Sequence, residues 1–266
     1  MDRLLIMRLV VQGCAAEALI NDIPVGRVGP AGGVLCLPLH EYLLDGANEV
    51  SLVIDPAAPG ATGMQALPRL AQGVVAARLW LLLPRIGQPG SELQARTVAE
   101  VEWGVPDGDV YTTPLTITRS IFLPIKFPRW RWLDAPVVDD VEAQRPLVAA
   151  FVQAIAADLL RGDPELYLTA SRLRLEELAL AYQQPVADIT TRLRSRLQLL
   201  HATKALKMAI PGTSDMLLRP CANGRLIECM GSENRPALAT QPGPDGNTSA
   251  WPVRVAVVNG RCHILR

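Results

Sequence analysis

Aromatic residues are scarce in this chain. Trp, Tyr and Phe number 5, 4 and 3 among 266 residues, so a stretch where they gather stands out. Histidine is scarcer still, with only His40, His201 and His263, and a metal site would need distant residues to converge. An excess of either charge is missing too: 26 Lys and Arg balance 26 Asp and Glu, for a formal net charge of zero. Such a chain has no bulk field to gather a phosphate backbone or anionic lipid, so no nucleic-acid partner is expected. No apolar run approaches the length that spans a bilayer, and a soluble protein is expected.

The five cysteines, Cys14, Cys36, Cys221, Cys229 and Cys262, are odd in number and scattered, without a Cys-x-x-Cys pair. They suit reduced, buried thiols better than a disulfide framework or a zinc site. Val11-Gln12-Gly13-Cys14 is similar to a lipoprotein cleavage box, but Asp2 and Arg8 interrupt the leader that such a box needs. Residues 4–11 are therefore read as a first strand and the protein as cytoplasmic. There is no GxSxG, GxxxxGK[ST], GxGxxG or HExxH motif. Cys36 lies near His40 in sequence but lacks an orienting third group. Glu176 and Glu177 are adjacent, so on a helix they point apart, a poor acid/base pair. These absences favour a non-enzymatic protein without cofactor or metal.

What is present is a globular composition, 49% apolar and 20% charged, in a chain long enough for two cores. In the first half, runs at residues 4–11, 18–20, 25–28, 34–39, 50–54, 74–83, 96–105 and 113–123 alternate or are apolar, with Gly, Pro, Asn or Asp between them. Asn21-Asp22 marks a tight turn, and Val50, Leu52 and Ile54 share one face of a strand. Short strands without crossover helices predict an antiparallel sandwich. "INDIPV" followed by "HEYLLDGANEVSLVI" resembles the galactose-binding-like jelly rolls over residues 1–135. The resemblance implies an all-β sandwich and a loop-shaping role for Asn48. Members of that family bind glycans or act as structural attachments.

Residues 122–136, "FLPIKFPRWRWLDAP", concentrate four aromatics among cations. Trp130 and Trp132 with Arg129 and Arg131 could stack a sugar. On a strand the two Trp residues would share a face and plug a sandwich edge, with the arginines turned to water. Both readings stand, and this stretch is a candidate contact surface.

Residues 137–146 are read as a linker between domains at 1–136 and 147–266. Leu147, Phe151, Ile155 and Leu159 then recur at helical spacing, and Gly162 ends that helix. Asp163-Pro164 opens a second helix that continues to Pro185. A third carries Ile189, Leu193, Leu197 and Leu200, with Arg192, Arg194 and Arg196 opposite them. Such an arginine set is a solvated face or a surface for an acidic partner, and Arg192 and Arg196 join the candidate contacts.

Asn223-Gly224 and Asn259-Gly260 each sit between strand-like runs, a strong hairpin signal. Counting outward pairs Cys221 with Leu226, Arg219 with Glu228, Cys229 with Leu218, Val257 with Cys262, Val255 with Ile264 and Ala256 with His263. A Pro/Gly-rich loop is expected between the hairpins. "LVAAFVQAIAADLLRGDPELYL" and the hairpins after it are similar to NTF2-like and cystatin-like α+β domains over residues 145–266. No catalytic position of those families can be transferred. The expected protein is thus an all-β, jelly-roll-like sandwich followed by an NTF2/cystatin-like α+β domain. Its expected partner is another protein, in the manner of an adaptor or a toxin-neutralising protein. A glycan bound at Trp130 and Trp132, or a small ligand held in the second domain, are the alternatives.

Overall fold

The structure, a computed structural model, describes residues 4–57, 66–84, 95–231, 235–243 and 246–266. It is strand-rich, with four α-helices among the described residues. The chain forms two compact units, the first ending at Arg129 and the second running from Trp130 to Arg266.

The first unit contains β1 (Ile6–Gln12), β2 (Ala16–Ile20), β3 (Ile23–Val28), β4 (Gly33–Pro38), β5 (Gly46–Ile54), β6 (Leu67–Leu70), β7 (Val75–Pro84), β8 (Ala95–Val105), β9 (Val110–Thr113) and β10 (Leu115–Leu123). Two four-stranded antiparallel sheets, ordered β4-β1-β7-β8 and β10-β5-β2-β3, enclose one core. The two-residue period decides which side chains enter it. Met7, Leu9 and Val11 of β1 and Val50, Leu52 and Ile54 of β5 are all buried there. Asn21 and Asp22 take left-handed φ values of 52° and 62° between the paired Ile20 and Ile23. The Asn21 amide also donates to the Tyr42 carbonyl (2.8 Å) and to Asn48 Oδ1 (2.9 Å). Asn48 is buried and receives the Leu44 N–H at 2.7 Å, so it shapes the loop before β5.

Two features of this unit differ from expectation. Pro114 cannot donate to a ladder, and the predicted strand at 113–123 is divided there into β9 and β10. β9 pairs with β6 as a separate two-stranded ribbon. The ribbon is fastened at its Arg69–Tyr111 pair: Arg69 and the Tyr111 hydroxyl both reach Asp55 Oδ2, at 3.1 and 3.4 Å. Cys36 is exposed on edge strand β4 rather than buried, because its face of β4 lies away from the core.

The second unit contains α1 (Arg145–Leu160), α2 (Glu165–Ala170), α3 (Arg172–Tyr182), α4 (Val186–Ala202), β11 (Met208–Ala209), β12 (Leu217–Cys221), β13 (Leu226–Met230), β14 (Leu238–Thr240), β15 (Ala250–Trp251), β16 (Val253–Val258) and β17 (Arg261–Ile264). The predicted second helix is broken at Ser171 into α2 and α3. Sheet β12-β13-β16-β17 has every cross-strand pair that the two Asn-Gly turns predict. Val148, Val152, Ile155 and Leu159 of α1 share a core with Ile227, Cys229, Val253, Val255 and Ile264. That interior is therefore filled with apolar side chains. Segment 137–146 joins the same unit: Val138 and Val141 pack against its core, and the Val138 N–H donates to the Gly224 carbonyl at 2.8 Å. The expected interhairpin loop holds β14 and β15, which with β11 make a small three-stranded sheet. Its residues 232–234 and 244–245 lie outside the described set.

Candidate functional site

Trp130 and Trp132 do not occupy a strand. Trp130 precedes, and Trp132 sits within, the 3-10 turn Arg131–Asp134. Their relative exposures are 0% and 2%. Stacking a sugar needs an open ring face, so the glycan reading loses its platform. Both indoles belong to the second unit. The guanidinium of Arg266 lies over Trp130, 5.5 Å from the ring centroid, and donates to Glu177 Oε2 at 2.6 Å. Glu177 also receives the Arg131 backbone N–H at 2.6 Å. This buried ion pair is satisfied on several sides, as a charge removed from water requires.

Glu176 turns the other way, as adjacent helix positions must. It meets Arg131 at 2.8 Å and Arg172 at 2.7 Å on the exposed side of α3. The hydrogen bond from Arg131, and then the nearby positive charges, hold the Glu176 carboxyl below its ordinary pKa. Arg131 thus reaches α3, whereas Arg129 is exposed and belongs to the first unit.

α4 presents three flanks, because its residues advance by about 100° each. Leu193, Leu197 and Leu200 turn to the core. Val186, Thr190 and Arg194 line a groove of about 360 Å³ that also touches α2 and α3. Leu168 and Leu175 give the groove an apolar floor, and the Glu165–Arg194 pair stands at its rim. Both Glu165–Arg194 hydrogen bonds are 2.9 Å, and they hold the carboxyl below, and the guanidinium above, their ordinary pKa values. The third flank carries Arg192, Arg196 and Leu199, all exposed, with Leu199 at 64%. Arg192 bonds to the Gln184 amide oxygen, and neither Arg192 nor Arg196 forms an ion pair among the described residues. Sequence reasoning selected these two arginines by their spacing. It missed Glu165, whose pairing with Arg194 across 29 positions leaves no local signal.

A second cavity, of about 420 Å³, has Ala209, Ala237 and Ala239 in its lining, with Asp215 and Arg235 among its polar groups. His40 is far from a catalytic posture: it is buried, accepts the Leu5 N–H at Nε2 (2.8 Å), and stands edge-on to Phe127. All five cysteines are free. Burial, and then the charge of Asp55, pushes the Cys14 thiol up to about 11, and burial pushes Cys262 to about 11 as well. Neither thiol is poised as a nucleophile. No described helix is long and apolar enough to cross a membrane. No family model and no curated protein matches the chain.

Proposed function

We propose that the protein is a non-enzymatic interaction protein that recognises an acidic surface on another protein through α4. One observation carries the reading. Arg194 is neutralised by Glu165, whereas Arg192 and Arg196 project beside exposed Leu199 with no carboxylate partner among the described residues. Unpaired cations around an exposed leucine suit a desolvating contact with carboxylates. In this reading the first unit is a jelly-roll-like sandwich and the second an NTF2- or cystatin-like domain. Two four-stranded sheets and the helix-then-sheet order of the second unit support that assignment. Five free cysteines suit a cytoplasmic setting.

A photoreactive residue at Leu199 tests the reading in the cells that make the protein. An adduct with an acidic segment of one partner is expected, reduced at least about tenfold by Arg192→Glu with Arg196→Glu. No adduct, or one that the double variant leaves undiminished, overturns it. A small-ligand carrier is the second reading, supported by the 420 Å³ cavity, a volume usual for small-ligand sites. A thermal-shift screen of metabolites that leaves the melting temperature unmoved would dispose of it.

A further inference from the structure

The two sheets of the first unit end in four edge strands, β4 and β8 in one, β10 and β3 in the other. A bare edge offers unpaired N–H and C=O groups to any other chain, and proteins ordinarily blunt it. Three of the four are blunted. The Leu39 N–H donates to the Leu5 carbonyl at 3.1 Å, so alternation leaves Val34, Cys36 and Pro38 on the free edge of β4, where Pro38 has no N–H to give. β3 contains Pro24 beside a shift in its register with β2. On β8 the Glu100 carbonyl accepts Arg119 Nη1 at 2.7 Å, and Glu102 adds a second charge two positions on.

β10 has none of these devices. The Asn21 N–H donates to the Glu49 carbonyl and the Asp55 N–H to the Ala15 carbonyl, both at 2.8 Å. Odd-numbered residues of β5 therefore turn their backbone groups to β2, and even-numbered residues turn theirs to β10. The unbroken register of β10 on β5 pairs Val50, Leu52 and Ile54 with Arg119, Ile117 and Leu115. Thr116, Thr118, Ser120 and Phe122 thus aim their N–H and C=O groups at the free edge, where they meet no backbone partner among the described residues. All four are exposed, Phe122 at 73%. None is charged and none is proline, and Thr and Phe favour strands.

We infer that β10 pairs antiparallel with β10 of a second copy, joining their two four-stranded sheets across a two-fold axis. Such an edge complements itself, because each N–H meets a C=O when the same strand runs the other way. Charge selects the register. Centred on Arg119, the pairing would set two cations directly opposite, which is unfavourable. Centred on Ser120, it makes about six backbone hydrogen bonds and sets Arg119 against Ile121 of the second copy. It also lays Thr118 against the second copy's Phe122, an aromatic and β-branched pair of the kind that stabilises sheets. The contact uses the same edge of both copies, so assembly stops at the dimer. It involves the first unit alone and is independent of the reading of α4.

Sedimentation velocity of the full chain under reducing conditions tests the inference, and a monomer–dimer equilibrium is expected. Ser120→Pro deletes an N–H that bonds nothing within the fold, and should raise the dissociation constant at least about tenfold. Ser120→Lys keeps the N–H but brings two cations together, and should raise it too. Circular dichroism checks that each variant is folded; should the proline variant not fold, the lysine variant decides. Cross-linking reads the register. In a Cys36→Ser background, Ser120→Cys should form an intermolecular disulfide on oxidation, since directly opposed Cα atoms lie about 5.5 Å apart. Thr116→Cys, displaced along the strand from its own copy, should not. A chain monomeric up to about 100 μM, a dimer that the Ser120 variants leave intact, or larger species in place of the dimer overturns the inference. So does cross-linking at Thr116→Cys as ready as at Ser120→Cys.

Discussion

α1 and α4 are nearly equal in length, 16 and 17 residues, yet they bury six residues and one. Pro146 starts α1 in its first turn, where its missing N–H has no helical partner to lose, and an apolar stripe then seats the helix on the sheet. α4 has a comparable leucine stripe, but only Leu197 is fully enclosed. The remainder of its surface is an ion-paired groove wall and a cationic flank. One helix thus fastens the second unit together, while the other is largely free to meet something else.

The largest expected effect sits on α1. Ile155 is 0% exposed in the packed core, so Ile155→Ala leaves a cavity and should lower stability by about 2–5 kcal/mol. Leu199→Ala on α4 removes a side chain already in water and should stay within about 0.5 kcal/mol. Urea unfolding of the two variants measures both. Similar losses would mean that α4 is as essential to the core as α1.

A smaller effect is expected where the two helices meet. Gly162 ends α1 at φ +83°, and a Cβ there would lie 2.6 Å from the imidazole of His201 in the last turn of α4. Gly162→Ala should destabilise by about 1–2 kcal/mol, part backbone strain and part collision. Adding His201→Ala should recover the collision and leave about 1 kcal/mol of strain. A double variant no more stable than Gly162→Ala alone would show that the imidazole yields freely.

Much of this frame was legible in the sequence. The Asn-Gly turns set the register of β12–β13 and β16–β17 because a two-residue turn leaves the flanking strands one pairing. Gly162 marked the end of α1 because no other residue takes its backbone angle so readily. What stayed hidden depends on what lies opposite a face. The apolar neighbours of Cys36 pointed to a buried thiol, yet it is exposed, since which face of β4 is covered is a long-range fact. Clustering drew attention to Trp130 and Trp132 without showing that a 3-10 turn and Arg266 would enclose them. Spacing placed Arg192 and Arg196 together, but only the fold shows that Arg194 alone meets a carboxylate.

That last difference yields the smallest predicted effect. The Arg194 hydrogen bonds lower the Glu165 pKa in the folded protein. A lowered folded-state value gives a contribution that is fully present above the unfolded carboxylate pKa and is lost as pH falls through the folded value. The pair is open to solvent at 37% and 59% side-chain exposure, so screening leaves little of it in global stability. The effect should appear in the titration of one group. By NMR, Glu165 should titrate below ordinary glutamates, and Arg194→Gln should return it to their range while the urea midpoint at neutral pH stays unchanged. Arg196→Gln, on the opposite flank, should leave the Glu165 titration where it was. If Arg196→Gln moves Glu165 as far as Arg194→Gln does, the two flanks of α4 share one field, and the distinction between a paired and an unpaired arginine face fails.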